Sequence, residues 1–406
     1  MRQMTRIAVT ASLAVPVGLT VLLQAQTPLF EAATPIAFGG GSGQLALVDI
    51  NGDKYLDLVV HRAQQGIEVC FGNGRGQFSP FDSLTLAQGK PGRLPMGNIE
   101  PGAMALGDVT ADGNVDLVVA HKDRDNEYIT VFQGDGHGFP SAGNGGLRRT
   151  KRYGISKAFE FWKPAIRLVD VDGNGSTDIV TSNGRRNTIE ILLATRQDGA
   201  GPMFTAAPVV TLTPGSSFYT FGVGDFDADG HVDLVTTFDS TATRVEFRKG
   251  LGNGRFQEPS GGVAVRAGAR VAAVADLNAD SRPDVVVSHT DSGWLSILLN
   301  DGHGSLTQAP PSPRDLGRET WGVVVSDVNR DQRPDIVAAT VNSRMRPYES
   351  RVAVLLGDGF AAAPGSPFPV GHGAYQLAVG DINEDGKPDV VTSSFESDSI
   401  SVLLGR

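Results

Sequence analysis

The apolar residues of this chain fall in short runs and never in long stripes. Leu45-Ala46-Leu47-Val48 is one run and Leu377-Ala378-Val379-Gly380 is another, and each leads into an aspartate-rich segment. A second run follows that segment at once, as Asp-Leu-Val-Val, Asp-Ile-Val or a close variant. A third stretch alternates, as in Ile400-Ser401-Val402-Leu403-Leu404. Aliphatic runs of about 4–8 residues bounded by glycine and aspartate read as strands. Glycine-rich turns come next: Gly72-Asn73-Gly74-Arg75-Gly76, Gly134-Asp135-Gly136-His137-Gly138, Gly252-Asn253-Gly254 and Asp301-Gly302-His303-Gly304. Asn-Gly and Asp-Gly are hairpin signals, because glycine accepts a positive φ without steric cost. A fourth strand is predicted to begin near Phe78, Phe139 or Phe256.

The unit recurs. Asp-x-(Asp/Asn)-x-Asp-Gly-x-x-Asp, with variations, starts at Asp49, Asp108, Asp170, Asp225, Asp276, Asp327 and Asp381, at steps of 51 to 62 residues. Four strands in a repeat of roughly this size is the arithmetic of a propeller. The fold class expected is all-β: a seven-bladed β-propeller of four-stranded blades, spanning 26–406 as a single domain. The seventh unit stops at Leu404-Gly405-Arg406 with no fourth strand. The stretch Leu29 to Phe38 looks like Phe360 to Val370, the fourth-strand region of blade six. The N-terminal strand is therefore expected to complete the last blade and close the ring, removing an exposed sheet edge.

Composition narrows the picture. Fifty-one glycines and 23 prolines point to many turns, and 7% aromatic content points to a core of small aliphatic side chains. A net charge of −10 offers no general basic face for nucleic acid. Cys70 is the single cysteine, so no internal disulfide exists, and a buried thiol is expected. Residues 1–25 read as an export signal: Arg2 and Arg6, an apolar stretch from Ile7 to Leu23, then Ala25 before Gln26. A secreted, periplasmic or cell-surface monomer is expected. No later run of ~20 apolar residues exists to span a bilayer.

The acidic segments carry the chemistry. Side chains at positions 1, 3 and 5 converge if the loop coils tightly, position 7 offers a carbonyl, and position 9 closes the cage with a carboxylate. That oxygen-only set suits Ca²⁺. The candidate ligands are Asp49, Asn51, Asp53 and Asp57 in the first copy, and Asp108, Thr110, Asp112 and Asp116 in the second. The third has Asp170, Asp172, Asn174 and Asp178, and the fourth Asp225, Asp227, Asp229 and Asp233. Asp276, Asn278, Asp280 and Asp284 follow, then Asp327, Asn329, Asp331 and Asp335, then Asp381, Asn383, Asp385 and Asp389. Twenty-two of the 45 acidic residues are aspartates at these ligand positions. Clustered carboxylates repel one another without a cation, so up to seven Ca²⁺ ions are expected. Thr110, Asn174 and the replacements of the position-6 glycine (Lys54, Ser281, Gln332) mark five copies as weaker sites. Position 12 is never Glu, being Val60 in copy one and Thr236 in copy four, so these are not EF-hands.

Taken together, the loops and the Leu-Leu-Gly-(Asn/Asp)-Gly turns, as at Leu355-Leu356-Gly357-Asp358-Gly359, resemble FG-GAP (VCBS-type) repeats. These build seven-bladed propellers such as the head of integrin α chains, and the resemblance runs over roughly residues 28 to 406. It implies Ca²⁺ between the first two strands of each blade, all on one face. Integrin-like members, unlike this chain, carry the loop in fewer blades. Relatives include adhesion heads, sugar-binding lectins and polysaccharide-degrading enzymes. The resemblance therefore implies a binding, adhesion or scaffold module for a polysaccharide or protein, with a lyase or hydrolase as the alternative.

A ligand would sit on the face opposite the acidic loops. Six residues before each first aspartate stand Gly43, Gly102, Pro164, Tyr219, Arg270, Trp321 and Tyr375, and Trp162 lies close by. Trp162, Tyr219, Arg270, Trp321 and Tyr375 are candidate ligand contacts, since aromatic faces stack on sugars or peptides and Arg pairs with carboxylates. Packing that plugs the channel mouth is the competing reading. The basic run Leu147 to Arg152 is expected to be a solvated loop between blades two and three, with an acidic polysaccharide or partner surface as the other option. A second insertion, Asn342 to Glu349, holds Arg344, Arg346 and Tyr348. His61, His121 and His289 are expected as scattered rim residues. No nucleophile or phosphate-loop motif is present, and no catalytic residue is assigned.

Overall fold

The computed structural model describes residues 27–37, 42–62, 66–79, 100–123, 126–134, 136, 148–155, 165–183, 187–195, 203–212, 220–237, 243–289 and 292–406. Residues 1–25, expected as an export signal, lie outside them. Among the described residues every regular element is a strand, and no helix is long and apolar enough to cross a membrane. The strands form seven antiparallel sheets arranged as the blades of a propeller.

Within a blade the strands follow chain order, as in Phe221–Gly224, Asp233–Thr237, Arg244–Arg248 and Ser260–Ala264 of the fourth. In blades three, five and six the fourth strand is split into two short pieces that both pair with the third. Leu306–Gln308 and Arg314–Asp315, for example, both pair with Trp294–Asn300. Blade one shows Ser42–Val48, Asp57–Arg62 and Gly66–Cys70, with Phe78 bridged to Gly72. Phe256 makes only an isolated bridge to Gly250, so the fourth strand of its blade starts four residues later, at Ser260. Phe139 lies outside the described residues. The last sheet runs Ala374–Gly380, Asp389–Ser394, Ser399–Leu403 and then Thr34–Ala37, which pairs from Thr34↔Val402 to Ala37↔Ser399.

One expectation is corrected. Most of the basic run is not a loop. Arg148–Ile155 is the outer strand of blade two, paired with Asn126–Gln133 from Glu127↔Ile155 to Gln133↔Arg148. Its residues lack an apolar pattern, but an outer strand needs only backbone pairing. Charge on such a strand deters further strands from adding to the edge.

The core explains the aliphatic runs. Side chains of a strand alternate between its two faces. In Asp57–Arg62, Val59 joins the cluster shared with blade two, which includes Met104, Leu117 and Val119. Leu58 and Val60 join the cluster shared with blade seven, which includes Val391, Ile400 and Val402. Both faces are buried, so the second strand reads as a continuous apolar run. Among the described residues there are seven such clusters, one for each pair of neighbouring blades around the ring. Cys70 is buried among them, as expected.

Chain segments far apart in sequence meet between blades six and seven. Phe30 is buried there, its ring edge-on to Phe368 at 5.3 Å between centroids. Leu29 N–H donates to Pro364 O, and Glu31 N–H to Leu404 O. Phe30→Ala is expected to destabilise the fold by about 3–5 kcal/mol, the usual cost of emptying a buried aromatic site. Equilibrium urea denaturation would read the change.

Candidate functional site

Each acidic loop joins the first strand of a blade to the second, and all seven share one hydrogen-bond plan. The position-1 carboxylate accepts the N–H of position 6 at 2.7–2.9 Å. The position-5 side chain accepts the N–H of position 7 at 2.7–3.0 Å. These bonds wrap the chain tightly and bring positions 1, 3 and 5 together.

Position 9 does different work. Asp57, Asp116, Asp178, Asp233, Asp284, Asp335 and Asp389 each open a second strand and are fully buried. One oxygen of each accepts the N–H of position 2 in its own loop, at 2.8–3.1 Å. The other accepts an N–H just after the third strand or at its end, from Gly72, Gly134, Ala194, Gly250, Asn300, Gly357 and Gly405, at 2.6–2.8 Å. The carboxylate thus ties loop, second strand and following hairpin together. Burial pushes Asp57, Asp116, Asp178 and Asp284 up to about 6, against the opposing pull of the two N–H donors, with neighbouring aspartates adding to the rise. A cation at the loop would act against that rise.

Sequence reasoning missed a backbone feature. Position 6 has positive φ in all seven loops, including Lys54, Ser281 and Gln332, so the missing glycines do not change the turn. Position 4 has it too, at Ala111, Ala228, Ala279, Arg330 and Glu384 as well as at two glycines. Non-glycine residues in this region cost about 1–2 kcal/mol each. Ala, Arg and Glu carry no signal of it.

Two loops bring three carboxylates within 4.8 Å of one another: Asp170, Asp172 and Asp178, and Asp225, Asp227 and Asp229. Either group could hold a metal ion. The donors are hard oxygens, which fit Ca²⁺ and not a softer metal. In the other five, Asn51, Thr110, Asn278, Asn329 and Asn383 supply a neutral oxygen at position 3.

The opposite ends of the first strands hold the second candidate feature. Tyr375 lies in a register shift between Ala374 and Gln376, and Trp321 lies in another between Thr320 and Val323. Such bulges re-aim a side chain. Trp321 and Tyr375 stand edge-to-face at 5.0 Å, and the Arg270 guanidinium lies 5.4 Å from the Trp321 ring centre. All three are half-buried. Three neighbouring blades thus present a guanidinium, an indole and a phenol in one row. Burial raises the Tyr375 phenol above its usual range. Tyr219 and Trp162 lie outside the described residues.

The insertion after Asp335–Asn342 bridges blades six and seven. Arg346 pairs with Glu396 at 3.2 Å, and Tyr348 N–H donates to the same carboxylate. The imidazoles are not an open rim. His289 is fully buried, with its ring nitrogens at 3.1 Å from Ala267 O and 2.9 Å from Ser296 Oγ, and His121 is buried against Thr130. His61 is driven down to about 4 by burial.

The ring and its loops define a repeat-built β-propeller. The chain belongs to the FG-GAP-like repeat family, which matches residues 49–119, 170–236, 225–287, 276–338 and 327–392. No curated protein matches it. Among solved structures, BBS1N in complex with ARL6DN is similar at 11% identity and a TM-score of 0.57, over 93% of this chain and 98% of that one. A protein from Lactobacillus plantarum is similar at 12% identity and 0.54, over 90% and 92%. A catalytically inactive virginiamycin B lyase from Staphylococcus aureus with quinupristin is similar at 12% identity and 0.50, over 92% and 99%. At these identities the likeness is one of fold.

The buried aspartates set a pH dependence for the chelated protein. Unfolded, these carboxyls release their protons near 3.8; folded, four of them hold on until about 6. Between those values the unfolded chain binds fewer protons, so stability falls as pH rises. His61 and His289, both lowered by burial, act in the opposite direction, but the aspartates outnumber them. In EDTA, denaturation midpoints are expected to drop from pH 4 to pH 6.5; a midpoint that rises across this range contradicts the assignment.

Proposed function

We propose that the protein is an exported, calcium-stabilised propeller that binds a polysaccharide or a protein surface and has no chemistry of its own. Ca²⁺ would be held by the side chains at positions 1, 3, 5 and 9 of the acidic loops. It would supply charge neutralisation and no reaction step. The support is the oxygen-only donor set, repeated on one backbone plan, and the buried position-9 carboxyls raised above their ordinary range. An ion that binds only the folded chain stabilises it by mass action. EDTA is therefore expected to lower the melting temperature at pH 7 and excess Ca²⁺ to restore it; an unchanged melting temperature counts against the reading.

The observation that carries the binding role is the row Arg270–Trp321–Tyr375 on the face away from the loops. An indole set edge-to-face on a phenol, beside a guanidinium, suits a sugar carboxylate or an acidic protein patch. A protein ligand is consistent with the complex in which BBS1N was solved. Export rests on the character of residues 1–25 alone. The test is a panel of acidic and neutral polysaccharides and cell-surface proteins, with retention and released oligosaccharide recorded together. Retention without product is expected. Trp321→Ala is expected to weaken it by about 30-fold or more, the scale of an aromatic hot spot, with the calcium-loaded melting temperature little changed. Released product would replace the binding role with an enzymatic one.

A further inference from the structure

Loop four is the only copy of the seven with aspartate at all four ligand positions, 1, 3, 5 and 9. It also holds a cation of the chain's own. Lys249 lies just after the third strand of the same blade, directly before Gly250, whose N–H is gripped by Asp233. The Lys249 ammonium contacts the Asp227 carboxylate and lies 2.7 Å from Asp229 Oδ2. It therefore bridges positions 3 and 5, where a metal would draw its charge. At the same place in the other blades stand Phe71, Gln133, Leu193, Leu299, Leu356 and Leu404. Gln133 also reaches its loop, donating from Nε2 to Asp112 Oδ2 at 2.8 Å, but it brings no charge. Arg282 and Lys387 come within 3.9 and 3.7 Å of the position-5 carboxylates of loops five and seven, but among the described residues only Lys249 reaches carboxylates at both positions 3 and 5.

The second oxygen of Asp227 makes the point sharper. Asp227 Oδ1 is buried and accepts no hydrogen bond. The carboxylate is thus half engaged by the ammonium and half left as a donor. A divalent ion entering there would meet the ammonium at close range and would have to expel it. Clustered carboxylates repel one another without a cation, and a lysine supplied by the fold is present whether or not the solution holds a metal.

We propose that Lys249 takes the place of the metal ion in loop four, so that this copy carries its own counter-charge and binds no Ca²⁺ while other loops do. The proposal rests on the calcium reading of those loops. It reverses the order expected from acidity alone: the loop richest in aspartate is the one that stays metal-free. Removing the ammonium while keeping the shape, as in Lys249→Leu, would turn loop four into a metal site, with Asp225, Asp227 and Asp229 as carboxylate donors.

The test counts calcium per chain by equilibrium dialysis of the full-length protein. Lys249→Leu is expected to bind one ion more than the parent, and Lys249→Arg the same number as the parent. An equal count for Lys249→Leu and parent overturns the proposal. The joint change Asp227→Asn and Asp229→Asn gives an independent measure should Lys249→Leu fail to fold. It is expected to leave the parent count unchanged; a count lower by one overturns the proposal. A parent that binds no ion at all defeats the calcium reading instead, and the two failures are thereby distinguished.

Discussion

The fold depends on a carboxylate that accepts two backbone N–H groups from opposite directions. In each blade the position-9 aspartate holds the start of its own loop with one oxygen and the turn beyond the third strand with the other. A buried N–H without a partner costs about 1–3 kcal/mol, and seven such clasps satisfy fourteen of them. The clasp also fixes where the second strand begins, since every one opens on that aspartate. The burial that makes it effective also raises its pKa, so the device that orders each loop creates the need for a compensating cation nearby.

Packing follows from the same register. Once the second strand starts at the aspartate, its aliphatic residues alternate between the two neighbouring blades. Val59 goes to one neighbour and Leu58 and Val60 to the other. Small aliphatic side chains suit this because the first strands of adjacent blades approach closely near the axis. Gly222 shows how closely, since a Cβ there would meet Val274 Cγ2 at 2.4 Å. Arg167 is the departure: it takes a place filled in most blades by a small residue, and its guanidinium lies 5.6 Å from the centre of the Phe221 ring.

Repeat spacing made the ring and the loops legible, because a nine-residue pattern recurring seven times leaves few other architectures. The blade strands were legible from the apolar runs beside each loop. What escaped was whatever depends on another segment or on backbone conformation. Arg148–Ile155 carries no apolar pattern, and only its pairing partner makes it a strand. Ala228 and Glu384 carry no mark of positive φ; the loop around them imposes it. Lys249 stands 22 residues beyond Asp227, in a hairpin that reads as a simple turn until the fold lays it against the loop. An alignment of the seven copies already sets that lysine against leucine or phenylalanine in five others. The row of Arg270, Trp321 and Tyr375 was legible as a column of equivalent positions, but the bulges that aim two of its members were not.

Those bulges separate two tasks that compete in many proteins. A residue standing outside the register of its strand contributes little to the ladder and lies apart from the seven clusters between blades. Gly102 and Tyr375 occupy equivalent places in equivalent bulges, yet one has no side chain and the other a phenol. The scaffold accepts both. Side chains can therefore change one blade at a time at this end of the first strands, while the selection that preserves folding acts on other residues.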